Sequence, residues 1–322
     1  MADKSPERKI TMLPLARHRL HFTATTPVHF PEWAGSVLRG GFGHALRQLA
    51  CMTRQKDCAG CPLLHTCPYP AIFSPPPVEH SLQRFSQPPA PYLIEPAGWG
   101  KQHILPGQTW HLDLVLMGRA LRELPLIRLA WQRAAQRGLG PGDGQSDLSD
   151  IETFTVDSEE TPKTSQQITL NFHTPLRLQD NGRAVPPEKL DAERLLMNLM
   201  RRISLLAEFH GNGSPGWNFK TLKQVAAAVD SEKHLKWQDW TRRSSRQQQT
   251  MQLGGAIGRW TLRGDLTPFL PALHLGQWLH VGKETVFGLG RYTLEETSAP
   301  NPNHPEHPVQ GTDFVEQSAP LQ

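Results

Sequence analysis

The spacing of apolar positions divides the chain into alternating strand and helix segments. Residues 17–25, Arg-His-Arg-Leu-His-Phe-Thr-Ala-Thr, alternate with a period of two and predict a strand, after which Pro27 and Pro31 impose a loop. Across residues 33–50, Val37, Leu38, Phe42, Ala45, Leu46 and Leu49 recur with the period of an amphipathic helix. Strands are predicted at 91–95 and 110–117. A helix over 124–136 is stopped by Gly138-Leu139-Gly140, and a strand follows at 151–156. The order is β, α, β, β, α, β, and it recurs further on. There the strand is 168–172 and the helix 191–209, with Leu195, Leu199, Ile203 and Leu206 on one stripe. Strands at 236–241 and 255–262, a helix over 267–279 and a short strand at 291–294 complete the second set. Two split βαβ units in tandem predict an α+β fold of two ferredoxin-like domains.

The expected organisation is an arm over 1–14, then a first domain over 15–157 that carries a cysteine-rich insertion at 51–77. A linker at 158–167 leads to a second domain over 168–296 with a glycine-rich loop, and 297–322 form a disordered tail. Of the 322 residues 38% are hydrophobic and 20% charged, as in soluble globular proteins, and no run approaches the ~20 apolar residues of a membrane span. The start is charged, without an apolar signal core, so a cytoplasmic protein is expected. Net charge is +4, but residues 141–166, read as a largely disordered acidic stretch, carry −6, and 297–322 carry −3, leaving +13 on the remainder. Positive charge gathered on the folded part suits a partner with a phosphate backbone.

All four cysteines, Cys51, Cys58, Cys61 and Cys67, fall in one stretch with spacing C-x6-C-x2-C-x5-C. Four thiolates so close can converge on structural zinc, and the same set can hold an iron–sulfur cluster. Four protein ligands would close such a site, so its expected role is to fold the insertion. A redox protein built on these cysteines alone is the reading from another functional class.

The segment from Trp240 joins clustered Arg242, Arg243 and Arg246 to polar amides and then to closely spaced glycines, a composition suited to gripping phosphates. Further on, Gly282-Lys-Glu-Thr-Val-Phe-Gly-Leu-Gly290 forms a second glycine-rich loop. It is not a nucleotide P-loop, because Glu284 stands where Ser or Thr is required and a strand, not a helix, follows.

Several segments together resemble one branch of the CRISPR repeat-RNA processing endoribonucleases of the RAMP superfamily. These are Arg243-Ser-Ser-Arg-Gln, Leu253-Gly-Gly, Gly264-Asp-Leu, the Pro-Phe-Leu-Pro at 268–271, and Leu279-His-Val-Gly-Lys with Phe287-Gly-Leu-Gly-Arg-Tyr. Leu38-Arg-Gly-Gly-Phe-Gly-His-Ala-Leu-Arg, Cys58-Ala-Gly-Cys-Pro-Leu and Cys67-Pro-Tyr extend the resemblance into the amino-terminal half. It implies a protein that binds precursor CRISPR RNA and cuts its repeat without a catalytic metal or cofactor. The ribose 2′-hydroxyl attacks, leaving a 2′,3′-cyclic phosphate and a 5′-hydroxyl. Other Cas proteins of an effector complex are expected partners, and a RAMP subunit that binds CRISPR RNA without cutting is the alternative.

On this resemblance His44 is the expected general base, with His29 in the loop before the helix as second candidate and Lys283 steadying phosphate charge. The small neighbours Gly40, Gly41 and Gly43 are expected to leave room for RNA backbone. RNA contacts are expected from Arg39, Arg47, Arg242, Arg243, Arg246, His280, Gly282, Lys283, Gly288 and Gly290. His280 reads equally as a core residue paired to a carbonyl, and His210 as a helix-end residue favoured by the negative dipole end.

Overall fold

The structure is a computed structural model that describes residues 13–78, 88–156, 165–244 and 249–296. The amino-terminal half runs β1 (Leu15–Ala24), β2 (Val28–Phe30), α1 (Gly35–Ala50), α2 (Pro68–Phe73), β3 (Tyr92–Pro96), β4 (Gln102–Ile104), β5 (Thr109–Met117), α3 (Leu124–Arg137), β6 (Ser146–Thr155). The second half runs β7 (Gln167–Leu176), β8 (Gln179–Asp180), β9 (Arg183–Ala184), α4 (Ala192–His210), α5 (Phe219–Ala227), β10 (Asp230–Ser244), β11 (Gln249–Arg263), α6 (Leu270–Leu279), β12 (Tyr292–Glu296).

Two four-stranded antiparallel sheets organise these elements, with strand orders β3-β5-β1-β6 and β10-β11-β7-β12. Counted along each half, both place second, third, first and fourth main strands side by side. Two ferredoxin-like domains therefore stand in tandem, as the periodicity predicts. In the first, Leu20, Phe22 and Ala24 of β1 point inward and meet Leu38, Phe42 and Leu46 of α1 and Trp131 of α3. Phe42 stacks on Trp131 with ring centroids 5.1 Å apart. In the second, α4 starts where Asp191 accepts a hydrogen bond from the Arg194 amide at 2.7 Å, and buries Leu195, Leu199, Ile203 and Leu206 under the sheet.

The two domains share buried surface. Leu13, Leu93, Val115 and Met117 of the first belong to the core of the second, and Trp33 packs with Trp240, Leu253 and Leu289. Apolar contact on both sides of the seam fixes the domains against each other.

Several expectations need correction. Leu13, assigned to the arm, is buried in the core; residues 1–12, residue 157 with the linker residues 158–164, and the tail (297–322) lie outside the described residues. The acidic stretch 141–166 is not wholly irregular, because β6 runs through it as an edge strand paired with β1. Exposure on one face lets acids alternate there without interrupting pairing. β10 and β11 are twice the expected length. β7 pairs with β11 only from Ala256 onward, so the distal part of the hairpin pairs with itself alone and carries no apolar alternation to read. β2, β4 and α5 were not expected.

Candidate nucleic-acid interface

α1 presents two faces. Leu38, Phe42, Ala45 and Leu46 are buried, while Gly40 and His44 face outward. Gly40 has nothing within 4 Å of where a Cβ would stand. The other two glycines of this helix do not make room for a ligand: Gly41 lies against Leu139 and Gly43 against the ring of Phe73. His44 is exposed, and its orientation is set from α3. The Gln48 oxygen accepts a hydrogen bond from Arg137, which turns the Gln48 amide nitrogen to donate to His44 Nε2 at 3.1 Å. With the Gln48 amide donating, Nε2 accepts this bond and the ring proton lies on Nδ1. Arg137 and Gln48 are 89 positions apart, so no local sequence signal joins them.

His29 is not in a loop. It lies on β2 opposite His103 of β4, and the two exposed rings stack 4.3 Å apart at 15°. The turn after α3 joins this pair to α1: Leu139 packs on Gly41, and Gly140 packs on the His29 carbonyl.

The glycine-rich loop performs a different task from the one expected. His280 is fully buried, with Nε2 donating to Glu95 Oε1 at 2.8 Å and Nδ1 3.2 Å from the Leu289 carbonyl. Burial pushes its pKa down, partly opposed by Glu95. It is a seam residue, unavailable to RNA. Burial alone would raise the Glu95 pKa, but the His280 hydrogen bond and the charges of Arg291 and Arg17 hold it at about 2. Arg17 reaches Glu95 at 2.7 Å and Asp113 at 2.6 Å. Gly288 and Gly290 are buried with φ of 85° and 70°. A Cβ on Gly288 would stand 2.7 Å from the Ile94 carbonyl, and one on Gly290 would collide with the carbonyl of Val281. Only glycine accepts both that backbone region and that approach. Gly290 packs protein on protein and corrects the expectation that it contacts RNA, whereas Gly288 also lines a cleft at the seam. Trp33 completes the joint by donating from Nε1 to the Phe287 carbonyl at 2.8 Å.

Of the cations, Lys283 is exposed and its backbone is held by the Arg177 carbonyl at 2.8 Å, beside Gly282, which packs on the same residue. Among the described residues no hydrogen bond or ion pair joins Lys283 to His44. Arg39 is committed to packing, its guanidinium 4.1 Å over Phe73 and 5.4 Å over Phe287. Arg47 donates to the carbonyls of Gln55 and Lys56 and so braces the cysteine insertion. Neither arginine is presented as a free phosphate ligand. Arg242 and Arg243 pair with Met251 and Thr250 on the hairpin arm, and Arg246 lies outside the described residues. His210 is buried, donates to the Pro89 carbonyl at 2.7 Å, and is pushed by burial down to about 4, so it is not a charged helix-end residue.

A cleft of about 260 Å³ at the seam was not anticipated. Trp33, Glu95, Trp99, His173, Gly288 and Arg291 line it. Trp99 stacks on Trp33 at 5.0 Å, and burial together with the Arg291 charge lowers the His173 pKa. Aromatic faces beside a guanidinium suit an unstacked base. Its members come from the loop between β2 and α1, from β3 and the loop after it, from β7 and from the glycine-rich loop and its exit at Arg291, and only folding assembles them.

All four cysteines are free and line one small cavity. Among the described residues no group of three or more His, Cys, Asp or Glu side chains is already arranged to hold a metal ion. No helix among them is long and apolar enough to cross a membrane.

Two ferredoxin-like domains in tandem, with a glycine-rich loop closing the seam between them, are the frame of this site. Residues 13–178, more than half of the chain, match a family model described as an N-terminal domain (AF_1859_N), and residues 170–292 match that of the CRISPR-associated endoribonuclease Cas6. The chain belongs to the AF_1859_N family, and its carboxy-terminal part is similar to the Cas6 endoribonucleases. No curated protein sequence matches it. Among solved structures it is similar to a Cas6 (TTHB231) product complex, at TM-score 0.57 and 17% identity over 88% of this chain and 99% of that one. It is also similar to the Thermus thermophilus Cas6 (TTHB231), at TM-score 0.52 and 15% identity over 88% and 99%. A partial Cas6-RT-Cas1–Cas2 complex matches at TM-score 0.54 and 14% identity, covering 93% of this chain and 48% of that one.

Proposed function

We propose that this protein binds CRISPR repeat RNA and cuts precursor CRISPR RNA once per repeat, by attack of a ribose 2′-hydroxyl on the adjacent phosphate. The observation that carries the reading is His44, exposed beside the open Gly40 and oriented by the Gln48–Arg137 relay, with a Gln48 hydrogen bond on Nε2 that the substrate 2′-hydroxyl would displace. His44 takes the 2′-hydroxyl proton, the oxygen attacks phosphorus in line with the 5′-oxygen, and the P–O5′ bond breaks as that oxygen takes a proton from water to leave as the 5′-hydroxyl. Arg137, the cation the structure links to His44, steadies the charge of the phosphorane. Lys283, the hairpin arginines and the Trp99–Arg291 cleft hold the strand. The chemistry needs no catalytic metal, since the nucleophile belongs to the substrate. The Cas6 complex with reverse transcriptase, Cas1 and Cas2 supports other Cas proteins as partners.

The test is incubation of the full chain with repeat RNA in EDTA, with product ends mapped. A 2′,3′-cyclic phosphate and a 5′-hydroxyl are expected. No product at any enzyme excess, with the RNA nevertheless bound, would make this a binding subunit instead. Ends bearing a 3′-hydroxyl and a 5′-phosphate would contradict the mechanism.

A further inference from the structure

The cysteine insertion has no core of its own. Between Cys51 and Cys67 no residue is buried and no helix or strand forms, yet the segment follows a single compact path. Ordering such a stretch has a conformational cost that apolar burial here does not offset. Turns and one side chain shape it: Cys61 donates its amide to the Cys58 carbonyl at 3.1 Å, Cys67 to Leu63 at 2.8 Å, and Arg47 clasps the carbonyls of Gln55 and Lys56. What these contacts enclose is a cavity of about 20 Å³ lined by Cys51, Cys58, Cys61 and Cys67 together with Thr53 and Asp57. Thr53 Oγ1 lies between two of the sulphurs, 3.4 Å from Cys61 and 4.0 Å from Cys51.

We propose that this cavity is a structural zinc site, with the four cysteine thiolates as its ligands. Sulphur ligands of this softness and number suit a tetrahedral, closed zinc centre. The same four ligands can hold an iron–sulfur cluster, which the absorption measurement below separates from zinc. The side chains as they stand must turn inward to complete the tetrahedron, which a metal ion brings about by replacing four thiol protons.

The placement of the ligands says what the ion holds together. Cys51 caps the end of α1 and Cys67 caps the start of α2. α2 ends in Phe73, whose ring lies under the Arg39 guanidinium and against Gly43, the neighbour of His44. The metal therefore clamps α2 onto the helix that carries the proposed base, without touching the reaction itself. The proposal stands independently of the nuclease reading.

It is tested on the purified full chain by metal analysis, thiol titration and absorption, with no activity readout. Stoichiometric zinc, no visible colour and four thiols that react only after a mercurial releases the metal are expected. Exchange with Co²⁺ should give thiolate-to-cobalt charge-transfer bands. Cys58→Ser and Cys61→Ser should each lose most of the zinc. Absence of metal with four freely reacting thiols would overturn the proposal, as would iron with visible cluster absorption, or zinc fully retained in the Cys58→Ser/Cys61→Ser double variant. The first two outcomes come from the unaltered protein, so a variant that fails to fold leaves the test decisive.

Discussion

Two regions of this protein concentrate glycine beside a histidine, and they stand in opposite surroundings. On α1, Gly40 is open and His44 reaches solvent through a relay from α3. In the loop before β12, Gly288 and Gly290 press on the carbonyls of Ile94 and Val281, and His280 is fully buried against Glu95. A glycine-rich run marks close approach to a backbone, and the approaching backbone can belong to RNA or to the protein's other domain. Here the loop that most resembles a ligand-binding motif is the joint between the domains. The helix beside it keeps its outer face open at Gly40 and His44.

The contrast can be broken from the joint outward, taking stability effects first in order of size. Gly290→Ala adds a Cβ at positive φ against the Val281 carbonyl and should destabilise the protein by about 2–4 kcal/mol, read as a lower denaturation midpoint. Binding and cleavage should then fall together, in step with the folded fraction. A variant of normal stability that loses only RNA affinity would return the loop to the interface.

Acid should loosen the same joint. His210 is held neutral at about 4 in the fold, below the ~6.5 of an unfolded histidine. Its contribution is fully present above pH 6.5 and is lost as pH falls from 6.5 towards 4, because the unfolded chain binds the proton first. The difference is on the order of 2–3 kcal/mol across that window. His280, also lowered, acts with the same sign, and Glu95, lowered to about 2, adds a loss only below the ordinary carboxylate range. Thermal melts at pH 7.5 and pH 5 should separate clearly for the native chain and less for His210→Gln; an unchanged separation would remove His210 from the account. The smallest effect is expected at the exposed Lys283, whose change to Ala should weaken repeat binding several-fold and reduce its salt slope by about one ion, leaving the melt unchanged. A salt slope identical to that of the native chain would say that no phosphate lies there.

Much of the fold is legible in the sequence because its elements obey their own periodicity. α4 has its cap at Asp191 and an unbroken apolar stripe, and β1 alternates through Leu20, Phe22 and Ala24. Elements that escape are those for which burial imposes no pattern. β2 and β4 are three residues each, and the outer half of the β10–β11 hairpin has no sheet beneath it. The candidate site divides in the same way. His44 is reached through the family resemblance together with its place on an amphipathic helix, whereas Arg137 and the Trp99–Arg291 cleft come together only through tertiary packing. The roles expected for His280 and Gly290 were displaced because residue type reports that a close contact exists without saying with what.

The central claim is that the chemistry belongs to α1 and not to the glycine-rich joint. It is tested most directly by single-turnover cleavage of repeat RNA by His44→Ala, with binding and melting temperature measured on the same preparation. A fall in rate of ~10²–10⁴ with affinity and stability close to native is predicted. Cleavage at the native rate, or an equal loss of binding and cleavage, would contradict it.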